Sequence, residues 1–308
     1  MDRDLAGAGM RHAFSLYRTP SQYTTAIDSF VRDGQAHHEP VFMAVPDGQL
    51  PAGSTASRWP QVTVADMRQL GGNPARIMPV IRAFADDHAG QRVRYIGEPV
   101  WPGRSAAELR EAARHDALLN LAFAGTSVSM MCLYDAGALP AAAIADACGS
   151  HPSMLSGEQL SVNRDYLGEG SLPASLGKPL LAPAGAKELR YERDLRPVRS
   201  LVAAFATEAG LSSARRTDLV IAASEVSANT LRHTRGGGVV RLWTTDDSAF
   251  CQVDDGGHIT DPLAGHIRPS ADRAGGQGLW LVNQICDLAE IRTSELGTTI
   301  RLRMYLSV

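Results

Sequence analysis

The chain is poor in the features that mark several large functional classes. It has four cysteines in 308 residues, Cys132, Cys148, Cys251 and Cys286, with no Cys-x-x-Cys pair and no nearby histidine in a metal-ligand spacing. Local zinc modules and dithiol redox motifs are therefore not expected, and the four read as buried thiols of a cytosolic protein. Charge of one sign is missing too. The 30 Lys and Arg against 33 Asp and Glu leave a net of -3, so no whole-chain field recruits nucleic acid or an anionic membrane. No apolar run approaches a membrane span, and the start, MDRDLAGAGMRHAF, lacks a basic segment followed by an apolar one. A cytoplasmic protein that contacts neither membrane nor nucleic acid directly is the expectation.

What is present is a regular alternation. HAFSLY, PVFMAVP, VTVADM, VRYIGEP and VSMMCLYD are short and rich in Val, Ile and aromatic residues. Between and after them stand amphipathic stretches such as PSQYTTAIDSFVRDG, NPARIMPVIRAFADDHAG, SAAELREAARHDALLNLAFAG and ALPAAAIADACG. Strands alternating with helices predict an α/β domain over residues 10–166, with a largely parallel central sheet covered by helices. Ligands of such sheets lie beyond the carboxyl ends of the strands. Glu98, Trp101 and Asp135 stand there and are the candidates for a small-molecule pocket, with ordinary loop chemistry as the competing reading. This half has no Gly-x-x-x-x-Gly-Lys-Ser/Thr loop, which excludes that mode of phosphate cradling.

Residues 167–187, dense in Gly, Pro, Ser and Ala, predict a linker. The remainder, 188–308, predicts two helices, the first starting near Asp194 and Pro197 and the second capped by Ser212 or Ser213. Strand-like VVRLWTT and AFCQVDD follow, then a helix over LWLVNQICDL and two more strands. This mixture predicts an α+β two-layer sandwich.

Four motifs in this second part suit a magnesium nucleotide. Glu225, Asn229 and His233 recur at four-residue intervals and fall on one stripe of a helix. Asn229 offers a hard oxygen for Mg2+, and Glu225, one turn earlier, is placed to act as a general base. Asp255 in Asp255-Gly256-Gly257 can accept from the exocyclic amine of adenine, with Gly257 allowing close approach. Gly276 and Gly278, opening a helix at Gly275-Gly276-Gln277-Gly278-Leu279, expose backbone N–H groups to phosphate. Thr298 or Thr299 can complete the adenine pocket. His233 is equally suited to capping its helix, and His12 and His115 read as structural.

In order and spacing, these motifs resemble the boxes of the GHKL (Bergerat) ATPase superfamily, in the branch of anti-sigma serine kinases related to histidine-kinase catalytic domains. SEVSANTLRH resembles its N-box, DGG its adenine box, GGQGLWLVNQICD its glycine-rich box and GTTIRL its last box. The resemblance implies a Bergerat fold with ATP and Mg2+ as cofactors and Leu279 beside the nucleotide. It also implies a mobile lid between Gly257 and Gly275 that carries His258, His266 and Arg268. Two positions depart from the pattern: Ile259 stands where a second glycine is usual, and Gln277 where a basic residue is common. Residues 10 to about 165 resemble the MEDS sensory domain, on HAFSLYRT, FVRDG, PVFMAVP, NPARIMPVIRAF, VRYIGEPVWPGRS, RHDALLNLAF and LYDAGALP.

The resemblances imply a cytosolic regulator that holds a sigma factor and phosphorylates Ser or Thr on an anti-anti-sigma (STAS-type) partner. An unidentified small ligand at the N-terminal domain would control it. Related ATP modules often dimerise, so a homodimer is one expected state. No histidine lies between His151 and His233, which argues against a phosphoacceptor histidine ahead of the ATP domain. The competing function is a non-catalytic, ATP-responsive scaffold.

Overall fold

The structure, a computed structural model, describes residues 9–49, 58–169, 171–172, 176, 178–269 and 276–306. It divides into two compact units, Met1–Leu176 and Gly177–Val308, with the division inside the Gly/Pro-rich stretch.

The first unit runs β1 (Arg11–Tyr17), α1 (Pro20–Ala36), β2 (Val41–Val45), β3 (Val62–Asp66), α2 (Met67–Leu70), α3 (Ile77–Asp87), β4 (Val93–Gly97), α4 (Ala106–Ala122), β5 (Val128–Asp135), α5 (Ala141–Ser150), β6 (Ser153–Ser156) and β7 (Gln159–Val162). The sheet order is β3-β2-β4-β5-β1-β6-β7. Every neighbouring pair is parallel except the β6–β7 hairpin. Strands β2 and β4 are buried along their whole length under helices on both faces; β2 is a continuous apolar run, while β4 also carries Arg94, whose guanidinium is paired with Glu39 and Asp33. Helix α1 starts where Thr19 accepts from Gln22 N at 3.2 Å and Pro20 presets the first turn. It packs Ile27 and Val31 with Met43, Ile96, Met131 and Leu133 on one face. On the other face Phe14, Cys132 and Tyr134 pack with Ala112 of α4 and Ala143 and Ala147 of α5. Neighbours β2 and β4 are continued in opposite directions along the sheet, so their carboxyl ends form a switch point. Glu98 is the first residue beyond it.

The second unit runs β8 (Lys187–Tyr191), α6 (Arg196–Glu208), α7 (Ser213–His233), β9 (Gly238–Thr244), β10 (Ser248–Asp255), α8 (Gln277–Ile285), β11 (Leu288–Ser294) and β12 (Gly297–Tyr305). The sheet, β11-β12-β10-β9-β8, is antiparallel throughout. Ser212 is the residue that caps α7, accepting from Arg215 N. Helix α8 stops at Ile285, short of the predicted Leu288, which instead opens β11. One face of the sheet carries the core: Val198 and Val202 of α6, Leu219, Ala222 and Val226 of α7, and Val282 of α8 meet Val240, Leu242, Cys251, Val253, Ile300 and Leu302.

Alternation along β10 places Ala249, Cys251 and Val253 in that core and turns Phe250, Gln252 and Asp254 to the outer face. There Phe250 stacks on Trp243, with ring centroids 5.1 Å apart. Gln252 donates to Leu180 O at 3.2 Å and Arg301 to Leu181 O at 2.9 Å, so the end of the predicted linker lies along this face. Among the described residues, no helix is long and apolar enough to cross a membrane.

Candidate functional site

The end of β10 is the anchor. Asp255, on the core side, is paired across the sheet with Gly238 and Thr298. Its carboxylate is held at both oxygens: Thr230 of α7 donates to Oδ2 at 2.6 Å and Gly257 N donates to Oδ1 at 2.8 Å. Thr298, 5% exposed, donates to Gly257 O at 2.9 Å and pairs with the Thr293 hydroxyl at 2.9 Å. Thr299 lies on the other side of the sheet, where its hydroxyl donates to Asp254 Oδ1 at 2.6 Å. Of the two threonines considered, it is thus Thr298 that stands with Asp255; strand alternation sends its neighbour away. Gly257 has no spare room, since a Cβ there would come within 2.9 Å of Thr234 Cγ2 and 3.0 Å of Asp255 Oδ1.

Helix α7 brings Glu225 and Asn229 to the start of α8. The contact is read most directly at Gly278, where a Cβ would lie 2.9 Å from Glu225 Oε2 and 3.4 Å from Asn229 Nδ2. A side chain there would displace the Glu225 carboxylate while leaving the Asn229 amide in ordinary contact. Gly276 is the N-cap of α8 with φ 80°, a backbone conformation natural to glycine; Gly275 of the same motif lies outside the described residues. The start of α8, where the first N–H groups of a helix have no partner within the helix, thus lies beside a carboxylate and an amide. The donor set fits a hard divalent cation chemically, with one amide oxygen and one carboxylate a helical turn apart. Asn229 Oδ1 accepts from Arg232 Nη1 at 2.8 Å, so a metal there would take the place of that contact. His233 is exposed at the end of α7 and does not join the group.

The described part of the segment expected as a lid is tied down on two sides. Ile259 packs against the core and donates its N–H to Thr293 Oγ1 at 3.0 Å, so the residue standing at the usual glycine position anchors the segment to β11. His258 Nδ1 lies 3.1 Å from Ser294 O. Farther on, Asn283 of α8 donates to Gly265 O at 2.9 Å, His266 is buried, and Arg268 lies over the Trp280 ring at 5.7 Å. Gly265, at φ 82°, is packed against Leu279, which itself reaches the core. Residues 270–275 of the lid lie outside the described residues. A separate cleft of about 330 Å3 opens at the rim between Arg190, Glu192, Gly237, Asp254 and Leu296. It shares Asp255 with the site but includes neither Glu225, Asn229 nor Gly278.

In the first unit, Glu98 is fully buried. Tyr17 donates to its Oε1 at 2.6 Å and Tyr23 to its Oε2 at 3.2 Å. Burial pushes its carboxyl up to about 7, against these two hydrogen bonds, which favour the ionised form; nearby Asp135 pushes it up further and Arg68 pulls it down. Asp135 spends one oxygen on the turn it begins, accepting from Gly137 N at 2.8 Å and Ala138 N at 3.1 Å. Trp101 is covered by the Arg104 guanidinium 3.6 Å from its ring centroid, with Arg68 at 5.6 Å. The three candidates therefore lie at or just beyond the carboxyl ends of β4 and β5, and of them Glu98 is sealed by two tyrosines while Asp135 is partly exposed.

Sequence reasoning passed over Thr230, Thr293, Tyr17 and Tyr23. Thr230 sits next to Asn229 in the motif, and the turn of the helix points it at the sheet. Tyr17 and Tyr23 flank the β1–α1 turn, a position at the carboxyl edge of a parallel sheet that could have suggested them.

Comparison with known proteins follows the same division. Residues 11–152 match the family described as MEDS, the methanogen/methylotroph, DcmR sensory domain, and residues 189–304 match the histidine kinase-like ATPase domain. No curated protein matches the chain. Among solved structures, it is similar to the RsbU and RsbW domains of a Mycobacterium tuberculosis protein, with 22% identity, 40% of this chain and 33% of that chain covered, and a TM-score of 0.30. The histidine kinase domain of the E. coli osmosensor EnvZ gives 19%, 42% and 94%, with a TM-score of 0.25. The chain spans about a third of the length of the first of these. The chain thus joins a member of the MEDS sensory family, at residues 11–152, to a member of the histidine kinase-like ATPase family, at residues 189–304.

Proposed function

We propose that the second unit binds Mg-ATP and transfers its terminal phosphoryl group to a serine or threonine of an anti-anti-sigma partner of the STAS type, and that the unphosphorylated partner competes with a sigma factor for the same protein. The first unit, in this reading, sets that activity in response to a small ligand. The ATPase family of residues 189–304 supports ATP as the nucleotide. The observation that supports metal binding and phosphoryl transfer is the meeting of Glu225, Asn229 and the start of α8 around Gly278.

In that arrangement Asp255, already oriented by Thr230 and Gly257 N, accepts from the adenine amine. The α8 N–H groups at Gly276 and Gly278 bind phosphate oxygens. Asn229 holds Mg2+, which when bound would offset the charge of the phosphates. Glu225 Oε2 takes the proton of the attacking hydroxyl. Anti-sigma partners follow from the motif resemblance, since fold and family alone do not specify them.

The reading is tested by incubating the purified chain with labelled ATP and a panel of STAS-type proteins, with and without Glu225→Gln. The expected result is label on a partner hydroxyl, with nucleotide affinity unchanged in the variant and transfer reduced by roughly a hundred- to ten-thousand-fold. ATP-dependent association with no label on any partner would leave the non-catalytic scaffold as the function. The Arg232 contact at Asn229 Oδ1 is the observation that favours that second reading, because it competes with the metal.

A further inference from the structure

A second cluster lies in the first unit, away from Glu98, and the nucleotide reading does not use it. His12 of β1, Asp116 of α4, Cys132 of β5 and His151, which follows α5, are all buried, and one potential ligand atom from each lies within 4.8 Å of all the others. We propose that these four side chains form a closed tetrahedral site for a divalent cation of the zinc class, one that clamps β1, α4, β5 and the end of α5 together. The inference is independent of the nucleotide reading.

The surroundings orient every ligand. Asn120 donates its amide to Ser150 O at 2.7 Å and Ala117 O at 3.3 Å, so its Oδ1 is an acceptor. His12 Nδ1, 3.0 Å from that oxygen, must therefore carry the proton, which leaves a lone pair on Nε2. That lone pair faces Cys132 Sγ at 3.5 Å. His151 is held the same way: Nδ1 donates to Ala147 O at 2.7 Å, and Nε2, fully buried, has no hydrogen-bond partner among the described residues. Two imidazoles fixed by a hydrogen bond at Nδ1, each with Nε2 left to act as a ligand, match the support that metal-bound histidines receive. Asp116 accepts from the Tyr134 hydroxyl at Oδ2, which leaves Oδ1 turned to Cys132 Sγ at 3.9 Å.

Size and charge agree. Ligand atoms around a tetrahedral zinc ion stand roughly 3.3–3.8 Å apart, so the present separations of 3.5 and 3.9 Å, and at most 4.8 Å, need small adjustments. On binding, the metal replaces the Cys132 thiol proton, which is released to solvent. A dication with one thiolate, one carboxylate and two neutral imidazoles is then neutral overall, the state that a fully buried site requires. Four protein ligands leave no open position, which makes the site structural. Because the ligands come from separate elements, the site exists only in the folded unit, and binding stabilises that fold.

The test uses the full chain, unfolded with a chelator and refolded with Co2+ as the probe. About one Co2+ per chain is expected, with the visible bands of a four-coordinate ion and a near-ultraviolet thiolate-to-cobalt band, both erased by added Zn2+. Cys132→Ser should abolish the near-ultraviolet band, and Asn120→Ala, which releases His12, should weaken Co2+ binding by roughly ten- to a hundredfold. The near-ultraviolet band surviving in Cys132→Ser, or a refolded wild-type chain that takes up no cobalt, would overturn the proposal. If the chain does not refold or a variant does not fold, metal analysis of the natively purified wild type decides: about one zinc per chain supports the site, and less than about a tenth overturns it.

Discussion

Replacing Glu98 with glutamine should make the first unit more stable near neutral pH and leave it little changed in mild acid. Folding raises the pKa of this carboxyl from 4.5 to about 7, chiefly through burial. Between those values the folded chain holds a proton that the unfolded chain has given up. Stability therefore falls as pH rises from about 4.5 to about 7, and above that range the whole penalty is present. At about 1.4 kcal/mol per pH unit, the penalty amounts to about 3 kcal/mol. Glutamine keeps the shape and the acceptor for Tyr17 but does not ionise. Thermal melts of the two proteins should superimpose at about pH 4.5 and separate by roughly 6–12 °C at about pH 8, with the variant higher. A separation that does not change between those two pH values would refute the reasoning, because it would mean that folding does not raise the pKa of Glu98.

Other expectations concern the second unit. Thr230→Val removes a buried donor from Asp255 and should cost about 1–3 kcal/mol in chemical denaturation, with weaker ATP binding by calorimetry. Gly278→Ala would press on the mobile end of Glu225, so its unfolding midpoint should hardly move while the phosphotransfer rate drops roughly tenfold. Gly297 sits at φ 135° with the Asp255 carbonyl against the position a Cβ would take, so Gly297→Ala should lose about 3 kcal/mol or more in the same denaturation assay. Asp255→Ala loses a charge-assisted hydrogen bond, and ATP affinity should fall roughly ten- to a hundredfold, measured by calorimetry; unchanged affinity would remove Asp255 from the site.

Both layers of secondary structure were legible because their signals are local. The parallel strands are short stretches rich in apolar residues, such as VFMAV and MMCLY, and three helices carry their own caps at Thr19, Ser105 and Ser212. Motif order likewise pointed to the elements that meet at Gly278. Sequence spacing did not reveal parity and long-range convergence. Whether Thr298 or Thr299 faces Asp255 depends on the β10–β12 register, which is set by pairing across the sheet. The end of α8 was overrun because ICDL stays apolar while the backbone passes from helix to strand. The His12–Asp116–Cys132–His151 cluster was invisible for a related reason. Its members are spread over most of the first unit with no metal-ligand spacing, and only the order β5-β1-β6 of the sheet, with α4 against it, collects them.

The opposite orientations of Asp254 and Asp255 limit how this chain can vary in length. Asp255 turns to Thr230 and the helices; Asp254 turns to Arg241 and Thr299, on the face where Gln252 holds the Leu180 carbonyl. Inserting or deleting one residue in the middle of β10 would exchange the two carboxylates between faces and send Cys251 or Val253 out of the core. Two neighbouring surfaces would lose their chemistry in one step. Length variation among relatives should therefore collect in the turn at Asp246 and Asp247, and β10 itself should keep a constant count of residues.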